Sequence, residues 1–216
     1  MRKFLVALVF SLSGFAAAAE PVVVAMLGDS LTQGYGLAQE EGLVPQLQGW
    51  LDARGADARL INAGVSGDTT AGGAARVGWT LTPEVDAMVV ALGGNDLLRG
   101  IDPATVRTNL DAILAAAAEA DVAVLLVGMR APGNYGPEYK AAFDAIYPEL
   151  AAEWGSLLMA DFFEGFGSGD PAEVRTLIQP DGIHPNAEGV ARIVSALGPQ
   201  VLALIDRARA GDPTGQ

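Results

Sequence analysis

The chain has 216 residues, half of them hydrophobic, with 13 basic against 26 acidic side chains, one histidine and no cysteine. That is enough apolar material for a sizeable core, most simply one domain, and the missing cysteines exclude any disulfide framework. A net charge of −13 at pH 7 repels nucleic acid and anionic bilayers at long range and argues against both as partners.

Residues 1–19 stand apart from the rest of the chain. Arg2 and Lys3 form a short basic start, the stretch 4–15 is mostly apolar, and small residues sit at Ala17 and Ala19. This is the pattern of a secretory signal peptide, with cleavage expected after Ala19 and a periplasmic or secreted product. A membrane-spanning helix needs about 20 apolar residues, more than this stretch offers, so no stable membrane insertion is expected. With Arg2 and Lys3 removed, 11 basic residues face 26 acidic ones, a net charge of −15.

From residue 20 onward, apolar runs of strand length alternate with helical stretches. The runs are VVVAML (22–27), ARLINA (58–63), AMVVAL (87–92), VAVLLVGM (122–129) and SLLMAD (156–161). Each is almost continuously apolar, as in strands covered on both faces of a parallel sheet. Helical stretches are expected at 44–55, 70–79, 103–120, 137–155 and 186–208, the second rich enough in glycine to be partly loop. The alternation predicts a three-layer, doubly wound, flavodoxin-like α/β domain over residues 20–208 with a five-stranded parallel sheet and right-handed crossovers. The segment 209–216 is expected to be a flexible tail.

Ligands of such sheets bind beyond the carboxyl ends of the strands. The first strand delivers GDSL with Ser30 to that edge, the second NAGVSGDT with Gly67, and the third LGGNDLL with Asn95. After the fifth comes QPDGIHPN with Asp181 and His184. Taken singly, each is explained by turn or capping chemistry: Asp68 or Thr69 as a helix cap, GGND as a turn, His184 as a cap before Pro185. Taken together they supply a nucleophile, an imidazole base and a carboxylate in a D-x-x-H turn that can fix the tautomer. His184 is the only imidazole available, which predicts an acid limb of activity described by one ionisation. Gly67 N–H, the Asn95 amide and Ser30 N–H are the candidate donors to a developing oxyanion.

GDSLTQGYG, NAGVSGDTT, GGNDLLRG and DGIHPN, in this order, resemble the four blocks of the GDSL or SGNH hydrolase superfamily, whose name spells Ser, Gly, Asn and His. With RAPGNYGPEYKAAFDAIYPELA, the chain is similar to the bacterial thioesterase, arylesterase and lysophospholipase branch over about residues 20–206. The resemblance implies Ser30 as nucleophile, Asp181 and His184 as its triad partners, and Ser30, Gly67 and Asn95 as the oxyanion hole. It implies no metal and no cofactor, and a small-molecule acyl ester or thioester as substrate. A monomer is expected. Leu125, Leu126, Met129, Ala131, Tyr135, Phe143, Ile146 and Tyr147 are enough to line an acyl groove, with at least half of them expected in the core instead. The alternatives are a carbohydrate O-deacetylase of the same superfamily and, from another class, a non-catalytic flavodoxin-like binding protein. The chain contains no G-x-x-x-x-G-K-[ST] loop to support a nucleotide.

Overall fold

Five strands form a single all-parallel sheet in the order β2-β1-β3-β4-β5: β1 (Val22–Gly28), β2 (Ala58–Gly64), β3 (Ala87–Ala91), β4 (Ala123–Val127) and β5 (Leu157–Met159). The computed structural model describes residues 20–167 and 171–211. The expected signal peptide therefore lies outside the described residues, as do the last five residues of the expected tail. Residues 209–211 are described, and the final helix continues through Ala210.

Burial along the sheet follows position. β1, β3 and β4 are buried at every residue, whereas the edge strands β2 and β5 are mostly half-buried. This is why the central runs read as unbroken Val, Leu, Met and Ala. Register places Val24 of β1 between Leu60 of β2 and Ala87 of β3.

Eight helices are found among the described residues: α1 (Ser30–Gln33), α2 (Leu43–Asp52), α3 (Thr70–Thr80), α4 (Gly94–Leu98), α5 (Pro103–Glu119), α6 (Pro137–Trp154), α7 (Pro171–Thr176) and α8 (Ala187–Ala210). α3, α5 and α6 pack in one layer, and α2 with α8 form the other. The five long helices and all five strands were legible as elements. The glycine-rich segment expected to be partly loop is helical throughout, because Thr69 caps its start by accepting from Gly72 N–H and Val77 and Gly73 bury one face. α8 is long and apolar enough to cross a membrane by composition. Its apolar side, including Ile193, Leu197, Val201 and Leu204, is instead buried against the sheet.

The strand order reverses at β1. β2 lies on one side of it and β3 on the other, and the crevice of a doubly wound sheet opens at such a point beyond the carboxyl ends of the strands. α1 begins two residues after β1, and α4 begins three residues after β3. Ser30 and Asn95 therefore reach the crevice from adjacent strands.

Candidate active site

Ser30 is the first residue of α1. Asp29 caps that helix through Oδ1, which accepts from Leu31 N–H at 3.0 Å. The short helix starts immediately at the strand end, and this holds the serine at the sheet edge, only 9% exposed. Its Oγ lies 2.8 Å from His184 Nε2. His184 Nδ1 lies 2.7 Å from Asp181 Oδ2. Asp181 Oδ1 accepts backbone N–H bonds from Ile183 at 2.9 Å and His184 at 3.0 Å. These two bonds, then the imidazole, hold the Asp181 carboxyl down to about 2. Its other oxygen is left free to accept from Nδ1–H, which leaves Nε2 facing the serine.

The loop carrying His184 is tied down on several sides. Gln179 N–H donates to His184 O at 2.7 Å, and Gln179 Nε2 donates to Tyr35 O and Pro185 O at 2.9 and 2.8 Å. The Tyr35 ring packs on the imidazole. Asn186, rather than His184, caps the following helix by accepting from Gly189 N–H.

Gly67 and Asn95 line the same cleft as Ser30 and His184. Gly67 has φ of +83°, and a Cβ there would meet nothing nearer than Arg99 Nη2 at 3.8 Å. Its glycine is required by the left-handed backbone rather than by crowding. Arg99 donates to Gly67 O at 2.8 Å and so fixes the plane of that peptide. Asn95 Nδ2 donates to Asp29 Oδ2 at 3.2 Å. Asp96, fully buried, accepts from Thr70 N–H and Thr70 Oγ1 at 2.9 and 2.7 Å, locking α4 to the start of α3. Arg76 joins the second block to the first: it pairs with Asp68 at 2.6 Å and donates to the carbonyls of Ala63 and Gly28.

The five residues singled out in the sequence thus converge, four of them on the cleft wall and Asp181 behind the imidazole. Asp29, Arg76, Asp96, Arg99 and Tyr35 were not singled out. Their signal in sequence is weak: an aspartate or arginine inside a glycine-rich block reads as turn chemistry until its partner on another strand is known.

The cleft has a volume of about 800 Å³ and is lined mainly by apolar side chains such as Leu31, Leu97, Met129 and Phe163, with Tyr35, Leu98, Tyr135 and Ile183 partly exposed at its walls. Of the eight residues considered for an acyl groove, only Met129 and Tyr135 reach it. Leu125 and Leu126 lie inside β4, and Ala131, Phe143, Ile146 and Tyr147 are buried in the core. They face inward because α6 must cover the sheet: Tyr147 donates its hydroxyl proton to Leu92 O, and Phe143 packs beside it. Gly93, with φ of +118°, leaves no room for a Cβ beside the Tyr147 hydroxyl.

Residues 26–192 match the GDSL-like Lipase/Acylhydrolase family. The chain is 40% identical over 190 residues to an esterase, TesA, of Pseudomonas aeruginosa, covering 88% of this chain and 91% of that protein. It is 36% identical over 204 residues to a thioesterase 1/protease 1/lysophospholipase of Escherichia coli, covering 94% and 91%. The solved structure of AlinE4, an SGNH-hydrolase family esterase, superposes with a TM-score of 0.71 at 43% identity, covering 87% of this chain and 98% of that one. The family match begins inside β1 and ends inside α8, so it takes in every segment that builds the cleft. The chain belongs to the GDSL-like lipase/acylhydrolase family.

Proposed function

We propose that the protein hydrolyses carboxylic ester and thioester bonds through an acyl-enzyme on Ser30. The observation that carries this reading is the unbroken contact from Ser30 Oγ through His184 to Asp181, at 2.8 and 2.7 Å, on the wall of an apolar cleft. His184 Nε2 takes the Ser30 proton as Oγ attacks the acyl carbon, and Asp181 stabilises the imidazolium that results. Negative charge then gathers on the former carbonyl oxygen, where Ser30 N–H, Gly67 N–H and the free N–H of the Asn95 amide are its donors. The imidazolium returns its proton to the departing alcohol or thiol. Water, deprotonated by the same imidazole, attacks the acyl-enzyme and releases the acid.

Aryl esters, acyl-CoA thioesters and lysophospholipids are the substrate classes this reading names. The largely apolar wall favours acyl chains over the acetylated sugars of a deacetylase, whose hydroxyls need polar partners. Residues 1–19 act as a cleaved export signal, and the exported protein works as a monomer. The test is a rate panel of p-nitrophenyl esters and acyl-CoA thioesters of graded chain length, run with Ser30→Ala alongside. Turnover of both bond types that vanishes in the variant is expected. Activity retained by Ser30→Ala, or absent from every member of the panel, would overturn the proposal.

A further inference from the structure

Asp29 sits between the nucleophile and the oxyanion hole, and the hydrolytic steps leave it without a part. It is 1% exposed, and among the described residues no ion pair reaches it. Oδ1 is occupied by Leu31 N–H, and Oδ2 accepts from Asn95 Nδ2 at 3.2 Å. Burying a carboxylate without a cation is costly. An asparagine at position 29 would cap α1 equally well, so capping alone does not account for the charge.

We propose that Asp29 is a positioning residue that fixes the orientation of the Asn95 amide, and with it the oxyanion hole. An ionised carboxylate has no proton to give, so only the NH2 edge of Asn95 can face it. One N–H of Asn95 is then held by Asp29, and the second N–H on the same nitrogen is presented to the cleft. With a neutral amide at position 29, whose oxygen stays on Leu31 N–H, an NH2 group would face Asn95. The Asn95 amide would turn to accept from it and bring Oδ1, an acceptor, to the place where the oxyanion forms. Asn95 is on the cleft wall, so this rotation changes what a substrate meets. The ionisable groups whose charge bears on Asp29 are His184 and Asp96, and Tyr147 is in turn affected by Asp29. Arg76, which donates to the neighbouring Gly28 carbonyl, is spent on that oxygen, the Ala63 carbonyl and Asp68.

The inference rests on the assignment of Asn95 as an oxyanion donor, and a mutant cycle separates the two. Asp29→Asn, Asn95→Ala and the double variant are compared for kcat and KM on a short-chain p-nitrophenyl ester, with far-ultraviolet circular dichroism as the fold check. Asp29→Asn is expected to lower kcat about tenfold or more with KM unchanged, and to cost nothing further in the Asn95→Ala background. Losses that multiply in the double variant would overturn the role of Asp29 alone. An Asn95→Ala variant of undiminished kcat would overturn both assignments. A second measurement needs no change at position 29: in His184→Ala, which removes the imidazole, the side-chain amide resonances of Asn95 and the Asp29 carboxyl carbon are followed by NMR as pH is varied. A shared midpoint is expected. Asn95 resonances that stay flat while Asp29 titrates would overturn the proposal.

Discussion

The Tyr35 ring lies against the imidazole of His184, with centroids 4.7 Å apart and planes 36° from parallel. Gln179 ties the same two segments together by donating to the carbonyl of each. The imidazole is thus held from the front by an aromatic face and from behind by Asp181. An aromatic pair of this kind contributes about 0.5–1.5 kcal/mol beyond simple burial. Tyr35→Ala is expected to lower kcat/KM about two- to tenfold, while Tyr35→Phe leaves it unchanged. Equal losses in both variants would show that the hydroxyl, not the ring, is what matters.

Ser30 and His184 should behave as one unit. Ser30→Ala and His184→Ala are each expected to remove nearly all turnover, and the double variant should be no slower than the worse single one, because members of a triad do not contribute additively. Deletion of one oxyanion donor is milder: Asn95→Ala should lower kcat on the order of 10² to 10³. Single-turnover kinetics with a p-nitrophenyl ester measures all four variants. A double variant far below both singles would mean that the two side chains act independently.

The acid limb of activity should contain more than the one ionisation that a single histidine suggests. Asp181, held down to about 2 by the His184 and Ile183 N–H groups and then the imidazole, stays ionised at any working pH and cannot cause the limb. Asp29 is pushed up to about 6 by burial, against the pull of its bonds from Leu31 and Asn95 and of the His184 charge. Protonation of Asp29 removes the carboxylate that holds the Asn95 amide, so the limb reports Asp29 as well as loss of the imidazole base. The kcat/KM profile of the wild type should need two ionisations and that of Asp29→Asn only one. A wild-type limb already described by one would rule this out.

The same group sets a pH dependence of stability. Asp29 binds its proton more readily folded, at about 6, than at the ordinary aspartate value of 3.8. Between those values the folded chain holds more protons, so its stability falls as pH rises from about 4 to about 6. At pH 8 the cost is on the order of 2–3 kcal/mol, and Asp29→Asn should recover it while losing activity. Asp181 acts with the opposite sign: its contribution is present above about pH 4 and is lost as pH falls toward about 2. Urea unfolding at pH 4 and pH 8 checks the Asp29 effect, and a further point at pH 2 checks that of Asp181. Identical midpoints for wild type and Asp29→Asn at pH 8 would contradict the assignment.

Phe143 and Tyr135 should part company. Phe143 is fully buried on the core-facing side of α6, and Phe143→Ala is expected to cost about 3–5 kcal/mol in urea unfolding. Tyr135 is 41% exposed and lines the cleft, so Tyr135→Ala should leave stability nearly intact and raise KM for long acyl chains more than for short ones. A Phe143→Ala protein as stable as the wild type would return that ring to the cleft wall.

The alternation of unbroken apolar runs with amphipathic stretches determined the fold class, because strands covered on both faces must be apolar at every position and edge strands need not be. Ser30, Gly67, Asn95, Asp181 and His184 were legible for a related reason: each follows closely on a strand end or sits in a D-x-x-H turn, where local chain geometry already says which way the residue leaves the sheet. The contacts that align them were not legible. Asp29 meets Asn95 across 66 positions, Asp96 meets Thr70 across 26 and Arg76 meets the Gly28 carbonyl across 48. Which side of α6 closes the core and which residues reach the cleft was likewise decided only by packing, since Phe143 and Tyr135 differ little as side chains. A carboxylate next to a serine is ordinary turn chemistry until the tertiary structure buries it, and only burial against Asn95 turns Asp29 into a group whose charge has consequences.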